Sequence, residues 1–265
     1  MVVLFGSYAR GEQVEDTYIK DGGIYEYRSD FDLLIVLTNG GKENNAGFKH
    51  SVNEVLRKAQ GQTPARAIIQ GINKVNEMIE GASPLFSDIR RQGILLYSTG
   101  NFNLGNARKL KAQEVLDNAQ QDFEFWIKRA NDFLWGFDQY FKAERNNIAA
   151  FHLHQVTEHC YAAVLMVFTG YKAKDHDLDS LGTQVNELDR RFEAVFPRNS
   201  EEEKQRFNLL KAAYVDARYE KNYKITSEEL EYLNARVVML KELTEKVCGE
   251  KIEALRKVVS SSIKK

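Results

Sequence analysis

The sequence predicts an α+β protein in which a small α/β unit precedes an all-helical bundle. Up to about residue 100, short apolar runs of strand length alternate with segments of helical periodicity. Beyond that point apolar residues recur at steps of three and four, and no convincing strand pattern follows. The 265 residues and 43% hydrophobic content are enough for two domains with ordinary cores.

The first hundred residues carry alternating strand and helix patterns. In chain order we predict a strand over 2–5, a strand over 32–37, a helix over 48–59, a strand over 66–70, a helix over 72–80 and a strand over 94–97. A helix is also expected to begin within 8–13, and Gly22-Gly23 indicates a hairpin. Residues 101–105 are typical of a linker, so the predicted domains are 1–100 and 106–255.

Four or five helices are predicted for the second half. One of them has a strongly aromatic face, formed by Phe123, Trp126, Ile127, Ala130, Phe133, Leu134, Phe137, Tyr140 and Phe141. Such a face is able to stack nucleic-acid bases, but no basic face lies beside it. We therefore interpret it as bundle core.

Two further helices complete the predicted bundle. The segment 148–168 becomes almost wholly apolar, which is typical of a central bundle helix. The last helix opens with Thr226 and Glu229 at capping-box spacing. Its apolar seam consists of Leu230, Leu233, Val237, Leu240, Thr244 and Val247. That spacing suits packing against the bundle or against a partner in a homodimer.

Composition narrows the classes of partner. The formal net charge is −1, from 37 basic and 38 acidic residues, so neither nucleic acid nor a membrane is expected as a partner. Cys160 and Cys248 lack metal-ligand spacing, and two free thiols suggest a reducing, cytoplasmic location. Apolar runs such as Ala162–Phe168 are too short to span a bilayer.

The segment from Leu4 to Val36 contains the most informative motif. Gly6 and Ser7 follow the first predicted strand, where a glycine lets backbone N–H groups approach an anion and a serine hydroxyl reaches a phosphate oxygen. Asp30 and Asp32 alternate along a strand, so both carboxylates point to one face. Two carboxylates together with substrate phosphates are a usual ligand set for Mg²⁺. The combination predicts a site for a nucleoside triphosphate and magnesium.

These residues resemble the signature of the minimal nucleotidyltransferases of the polymerase-β superfamily. The resemblance rests on Gly6-Ser7-Tyr8-Ala9-Arg10-Gly11 and on Ser29-Asp30-Phe31-Asp32-Leu33. It implies that Gly6 and Ser7 contact the nucleotide phosphates, with Arg10 and Ser29 as further nucleotide-binding residues. It also implies that Asp30 and Asp32 hold Mg²⁺ and are catalytic, with ATP or another nucleoside triphosphate as substrate.

Two features depart from that family pattern. The 22 residues between Ser7 and Asp30 include an insertion, which is either a specificity loop or tolerated surface. Full members of the superfamily also carry a third acid on a later strand, but Thr63–Gln70 contains no Asp or Glu. The nearest acids, Glu77, Glu80 and Asp88, are predicted to lie in a helix and a following loop. The metal site is then weaker, or the base comes from elsewhere, or nucleotide is bound with little turnover.

The helical half resembles the HEPN domains, which are often fused to such transferases. The resemblance covers about residues 112–250 and rests on 151–158, 169–172, 176–178 and 217–219. Many HEPN domains are ribonucleases that use an Arg and a His with four to six residues between them. Arg218 takes the position of that Arg, yet no His follows it, and Arg145 with His152 has the spacing in the wrong context. Arg218 and Tyr219 are therefore kept as a possible second site.

Three hypotheses of different classes follow. The first is a Mg²⁺-dependent enzyme that transfers a nucleoside monophosphate, AMP from ATP, to a hydroxyl on a protein or a small molecule. The second is a ribonuclease, RNA-binding or toxin–antitoxin-like module centred on the helical half. The third is a protein that binds the nucleotide with little turnover.

Overall fold

The structure, a computed structural model, describes residues 1–11, 15–20, 23–28, 30–38, 41–59, 63–100, 102–108, 110–172 and 176–263. Its internal contacts divide the chain into two compact units, Met1–Lys109 and Leu110–Lys265. Within the described residues the first unit mixes strands and helices and the second is helical. The α+β class predicted from the sequence is confirmed.

The first unit is built on a four-stranded sheet. Its elements are β1 (Val2–Phe5), α1 (Gly6–Arg10), β2 (Glu15–Lys20), β3 (Gly23–Arg28), β4 (Phe31–Leu37), α2 (Ala46–Ala59), β5 (Ala65–Gly71), α3 (Ile72–Glu80), α4 (Pro84–Gln92) and β6 (Ile94–Tyr97). The sheet order is β5-β4-β1-β6, in which β1 runs antiparallel to both neighbours and β4 runs parallel to β5. The strands β2 and β3 form a separate antiparallel hairpin, as Gly22-Gly23 indicated.

Apolar residues of β4 and of two helices form the core of this unit. Leu34 and Val36 alternate along β4 and are almost fully buried. They share the interior with Val75 and Ile79 of α3 and with Phe86 of α4. The edge strand β6 is exposed along its whole length.

Two predictions in this unit were wrong in part. The helix expected within 8–13 begins at Gly6 and ends at Arg10, because Gly11 adopts a left-handed conformation with φ 69° and closes it. Asp88 was expected in a loop but lies in α4, whose first helical residue is Pro84. The other predicted strands and helices are confirmed to within two residues.

The second unit contains six α-helices within its described residues. They are α5 (Ala112–Lys142), α6 (Asn146–Thr169), α7 (Leu178–Leu188), α8 (Glu201–Ala212), α9 (Asp216–Tyr219) and α10 (Ser227–Ile263). The helices α5, α6 and α10 pack on one another and enclose one hydrophobic core. None of the described helices is long and apolar enough to cross a membrane.

The central helix α6 is buried on all sides, as its composition predicted. The aromatic face of α5 supplies part of the core around it: Ala130 and Phe137 are buried, and Phe133 packs against the same cluster. The interpretation of that face as bundle core is confirmed. The seam of α10 is also buried within the unit, from Leu230 to Val247, so it packs inside the bundle.

Both cysteines lie inside the helical unit. Cys160 of α6 and Cys248 of α10 are free and fully buried. Burial raises the thiol pKa of each to about 12.

The start of α10 is fixed by the predicted capping box. The hydroxyl of Thr226 accepts a hydrogen bond from the backbone N–H of Glu229 at 3.2 Å, and the Glu229 carboxylate accepts one from the backbone N–H of Thr226 at 2.8 Å. Two N–H groups that the helix itself leaves unpaired are thereby satisfied.

The Thr226→Ala variant is expected to lower the free energy of unfolding of the helical unit by about 1 kcal/mol, because it removes the side-chain acceptor. Urea denaturation followed by tryptophan fluorescence measures this unit alone, since Trp126 and Trp135 both lie on α5. Ser261→Ala is the control, because the Ser261 hydroxyl donates to the Val258 carbonyl oxygen near the far end of α10, away from the capping box. Equal stability of the two variants would contradict the prediction.

A neutral histidine is enclosed in the core beside α8. The His154 side chain is 1% exposed and donates from Nδ1 to the Leu210 carbonyl oxygen at 3.0 Å. Its Nε2 has no hydrogen-bond partner within the described residues. Burial lowers the pKa of His154 to about 4, so the side chain is uncharged at neutral pH.

This depressed pKa makes the helical unit acid-sensitive. Between the unfolded pKa of 6.5 and the folded value of about 4, the unfolded chain binds a proton that the folded chain does not, so stability falls as the pH falls. From pH 7 to pH 5, His154 should account for a loss of about 2 kcal/mol. His154→Gln keeps a donor for Leu210 but cannot titrate, so urea denaturation should show a shallower pH dependence than in the wild type. Parallel profiles for the two proteins would refute this origin of the acid sensitivity.

Candidate functional site

The turn after β1 places a glycine against a carboxylate. β1 and β4 pair so that Phe5 lies opposite Asp32, and Gly6 comes next in the chain with φ 76°. A Cβ atom at position 6 would overlap Asp32 Oδ2. Only glycine fits both this left-handed conformation and this close approach. The predicted pairing of the Gly-Ser turn with the aspartate strand is therefore present in the structure.

One guanidinium group joins the two aspartates. Arg66 Nε lies 3.1 Å from Asp30 Oδ2, and Arg66 Nη2 lies 3.0 Å from Asp32 Oδ1. The side chains of Asp30, Asp32 and Arg66 are only 14%, 20% and 28% exposed, so water screens these interactions weakly. Both carboxylates therefore contact one guanidinium group. Asp32 lies on β4, and Asp30 comes directly before the first residue of that strand, Phe31.

The pKa of Asp32 depends on its burial and on the charged groups beside it. Burial raises its pKa, and the neighbouring Asp30 charge adds to the rise. Arg66 opposes both effects through its charge and its hydrogen bond, and Arg10 opposes them through its charge, yet the pKa remains above its ordinary value. A cation bound at this point would stabilise the ionised form of Asp32.

The ligand type fits Mg²⁺. Hard oxygen ligands from two carboxylates are available on one face, and the remaining coordination of such an ion usually comes from substrate phosphates and water. Within the described parts of the chain, no group of three or more His, Cys, Asp or Glu side chains is placed to hold a metal. Among the described residues, the acids that this corner offers are Asp30 and Asp32.

The other predicted nucleotide-binding residues lie near this corner or cannot be placed. Ser7 follows Gly6 in α1, and Arg10 is the last residue of that helix, close enough for its charge to act on Asp32. The rings of Tyr8 and Phe31, 4.1 Å apart, hold α1 against the start of β4. Ser29 lies outside the described residues.

The residue that sequence reasoning missed is Arg66. The sequence of Thr63–Gln70 contains no acid, and its spacing does not indicate which of its residues stands next to Asp32. In the parallel pairing of β4 and β5, that residue is Arg66. The acids nearest in sequence lie elsewhere: Glu77 pairs with Lys74 on α3, and Asp88 pairs with Arg91 on α4.

The helical unit contains a second cluster of polar and aromatic side chains. Arg218 lies in the short helix α9, where its Nε donates to the Tyr214 carbonyl oxygen at 2.7 Å. Its guanidinium carbon lies 4.7 Å from the centre of the Phe151 ring and 4.8 Å from that of Tyr214. The Tyr219 ring is 5.0 Å away, and Tyr219 is 71% exposed. Arg218 and Tyr219, singled out from the sequence, are thus brought together.

Two histidines from other segments flank the Tyr214 ring. The His176 ring stacks on it at 4.3 Å between centres, and His154 lies at 5.2 Å. His176 Nδ1 is 2.9 Å from Glu158 Oε2, and Lys172 Nζ is 3.1 Å from Glu158 Oε1. Sequence spacing gave no signal for this, because His176 precedes Arg218 in the chain by more than forty residues.

The carboxylate of Glu158 anchors this cluster. Burial raises its pKa, but the hydrogen bonds and positive charges of His176 and Lys172 outweigh that effect, so the pKa of Glu158 lies below its ordinary value. His152, the histidine that has the expected spacing from Arg145, donates to the Phe133 carbonyl oxygen at 3.2 Å. The cluster therefore places Arg218 and two imidazoles around the Tyr214 ring, and His176 and Lys172 pair with the ionised Glu158.

Comparison with known families identifies the helical half. Residues 123–247 match the HEPN domain, and no family match covers the first unit. No curated protein matches the sequence. The matched range runs from α5 into α10 and includes Glu158, His176 and Arg218. This chain therefore contains a HEPN domain at residues 123–247.

Proposed function

We propose that the first unit is a Mg²⁺-dependent nucleotidyltransferase of polymerase-β-like fold that transfers AMP from ATP to an acceptor hydroxyl. The observation that carries the proposal is the convergence of Asp30 and Asp32 beside Gly6. Two acids on a strand and a glycine-bent corner are common features taken separately. Their contact in space is specific, because it needs the register of β1 against β4 and a glycine at position 6.

Each residue has a definite role in this proposal. Asp30 and Asp32 would hold Mg²⁺, which when bound neutralises phosphate charge. Gly6 leaves room for the Asp32 carboxylate beside the turn, and the Ser7 hydroxyl would donate a hydrogen bond to a phosphate oxygen. The acceptor oxygen forms a bond to the α-phosphorus, the bond from that phosphorus to the β-phosphate oxygen breaks, and pyrophosphate leaves. The acceptor proton passes to a base outside this aspartate pair or to water.

The acceptor is a hydroxyl of a protein or of a small molecule. As the acceptor on a protein we propose a tyrosine hydroxyl. Tyr219 is the candidate in this chain, because it is the most exposed of the large aromatic residues in the described chain. The HEPN domain is consistent with a role in nucleotide-related or toxin-like systems.

Asp30→Asn and Asp32→Asn should each abolish the transfer, since an amide is a poor ligand for Mg²⁺ and lacks the charge. Incubation with α-³²P-labelled ATP and Mg²⁺ measures labelling, and intact mass spectrometry detects the gain of one adenylate. Asp88→Asn is the matched control, because Asp88 is an exposed acid of the same unit that pairs with Arg91. Labelling that survives in both site variants would eliminate the proposed site.

A second candidate function is cleavage of RNA by the HEPN domain. Metal-free cleavage needs a group that moves protons at neutral pH, and histidine is the usual one. The specific observation is that His176 stacks on the same Tyr214 ring that Arg218 covers. Arg218 would bind the phosphodiester and His176 would transfer the proton, although no His follows Arg218 in the sequence.

If this second function exists, Arg218→Ala and His176→Gln should each reduce RNA degradation by roughly a hundredfold or more. Cleavage of a fluorescently labelled single-stranded RNA, assayed with EDTA present, is the measurement. Arg256→Ala serves as the control, since Arg256 is an exposed α10 residue that pairs with Glu253. Unchanged cleavage in both site variants would assign the activity to a contaminant and remove this candidate.

A further inference from the structure

Arg66 occupies the position on β5 that lies directly beside Asp32. In the parallel register, Asp32 of β4 pairs with Arg66 of β5, and the neighbouring pairs are Phe31 with Ala65 and Leu33 with Ala67. Residues paired in this way point to the same face of a sheet. The face that carries the two carboxylates therefore also carries Arg66, whose place is fixed by the strand register rather than by a loop.

The guanidinium group already compensates the two carboxylates. It uses two different nitrogens, Nε toward Asp30 and Nη2 toward Asp32, and the planar fork of arginine suits this double contact. Without a cation, two carboxylates at such short range would repel each other. Arg66 thus supplies the positive charge that a divalent ion would supply.

A free divalent cation must compete with this arrangement. If the ion binds between the carboxylates, it either stands next to the guanidinium charge or displaces Arg66 from both partners. The first outcome brings like charges together, and the second removes the carboxylate partners of a side chain that is only 28% exposed. Either outcome weakens the binding of the cation alone.

A metal–triphosphate complex changes this balance. Its phosphate oxygens carry negative charge and accept the same paired N–H donors that carboxylates accept. The guanidinium would then be able to leave the carboxylates and pair with the phosphates, so Asp30 and Asp32 would be available to hold the metal. Binding of metal and of phosphate would support each other through this one side chain.

We propose that Arg66 is the counter-ion of Asp30 and Asp32 when no ligand is bound. A metal–triphosphate complex displaces Arg66 from the two aspartates, whereas a free divalent cation displaces it poorly. The ligand of the site is accordingly the complex of a divalent ion with a nucleoside triphosphate. This inference rests on the proposed function, because it takes Asp30 and Asp32 as the metal ligands.

Mn²⁺ binding in the absence of nucleotide is the first test. Free Mn²⁺ is counted by electron paramagnetic resonance during titration of the wild type, of Arg66→Gln and of Arg57→Gln. Arg57 is the matched control, since it is an exposed arginine of the same unit that pairs with Glu54. Arg66→Gln should bind Mn²⁺ about tenfold more tightly than the wild type, within the usual range of coupling between sites. Arg57→Gln should match the wild type.

The second test uses the Mg²⁺ complex of α,β-methylene-ATP, which resists transfer at the α-phosphorus, and calorimetry as the readout. Arg66→Gln should bind this complex about tenfold more weakly, because the guanidinium–phosphate pair is lost. Arg66→Lys keeps the charge without the planar fork. Its affinity should lie between those of the wild type and Arg66→Gln in both tests. The inference can therefore still be tested if Arg66→Gln does not fold.

The outcomes separate this inference from the proposed function. If Arg66→Gln and Arg66→Lys bind Mn²⁺ no more tightly than the wild type, while Asp32→Asn abolishes binding, the aspartates are metal ligands and the role of Arg66 is wrong. Asp32→Asn is also tested in the wild-type and in the Arg66→Gln background. If it leaves Mn²⁺ binding unchanged in both, the aspartates are not metal ligands, and both this inference and the proposed function are wrong. Tight Mn²⁺ binding by the wild type without nucleotide also overturns the inference.

Discussion

The antiparallel pairing of β1 with β4 is the constraint on which the N-terminal site depends. It sets Phe5 opposite Asp32, so the chain must turn at Gly6 directly beside a carboxylate. The parallel pairing of β4 with β5 then adds Arg66 from the other side. Both contacts follow from strand register, and a slip of one residue would send each side chain to the opposite face of the sheet. The acids and the cation that face each other are therefore positioned by the backbone of three neighbouring strands.

In the helical half, the polar cluster around Tyr214 is positioned by side-chain packing and not by strand register. α6 is buried on all sides, and the interior accepts Glu158 because Lys172 and His176 pair with its carboxylate. Tyr214 joins that ion-pair group to Arg218 through ring contacts. Here the positions come from side chains that reach across the core from separate segments. Such a cluster depends on the whole bundle, whereas the first site depends on one sheet.

Sequence periodicity sufficed for most of the architecture, since amphipathic and apolar patterns mark elements whose faces are buried. The strand over residues 32–37, the helix over 72–80 and the capping box at Thr226 are all present. The convergence of Asp30 and Asp32 was predictable because alternation fixes the face of a strand. The contact of Arg66 with both acids was not, because it depends on the register between two strands separated by α2. The approach of His176 to Tyr214 likewise depends on helix packing, for which local spacing carries no signal.

The two cysteines have a practical consequence for probing this molecule. Thiolates are the reactive species, and thiols with pKa values of about 12 that are enclosed in the core present almost none of that form to a reagent at neutral pH. Alkylation of Cys160 or Cys248 requires the bundle to open first, so its rate reports how often the interior is transiently accessible. Conversely, a cysteine introduced on the surface can carry a spectroscopic label in an otherwise native background, since the two endogenous thiols remain silent while the fold is closed.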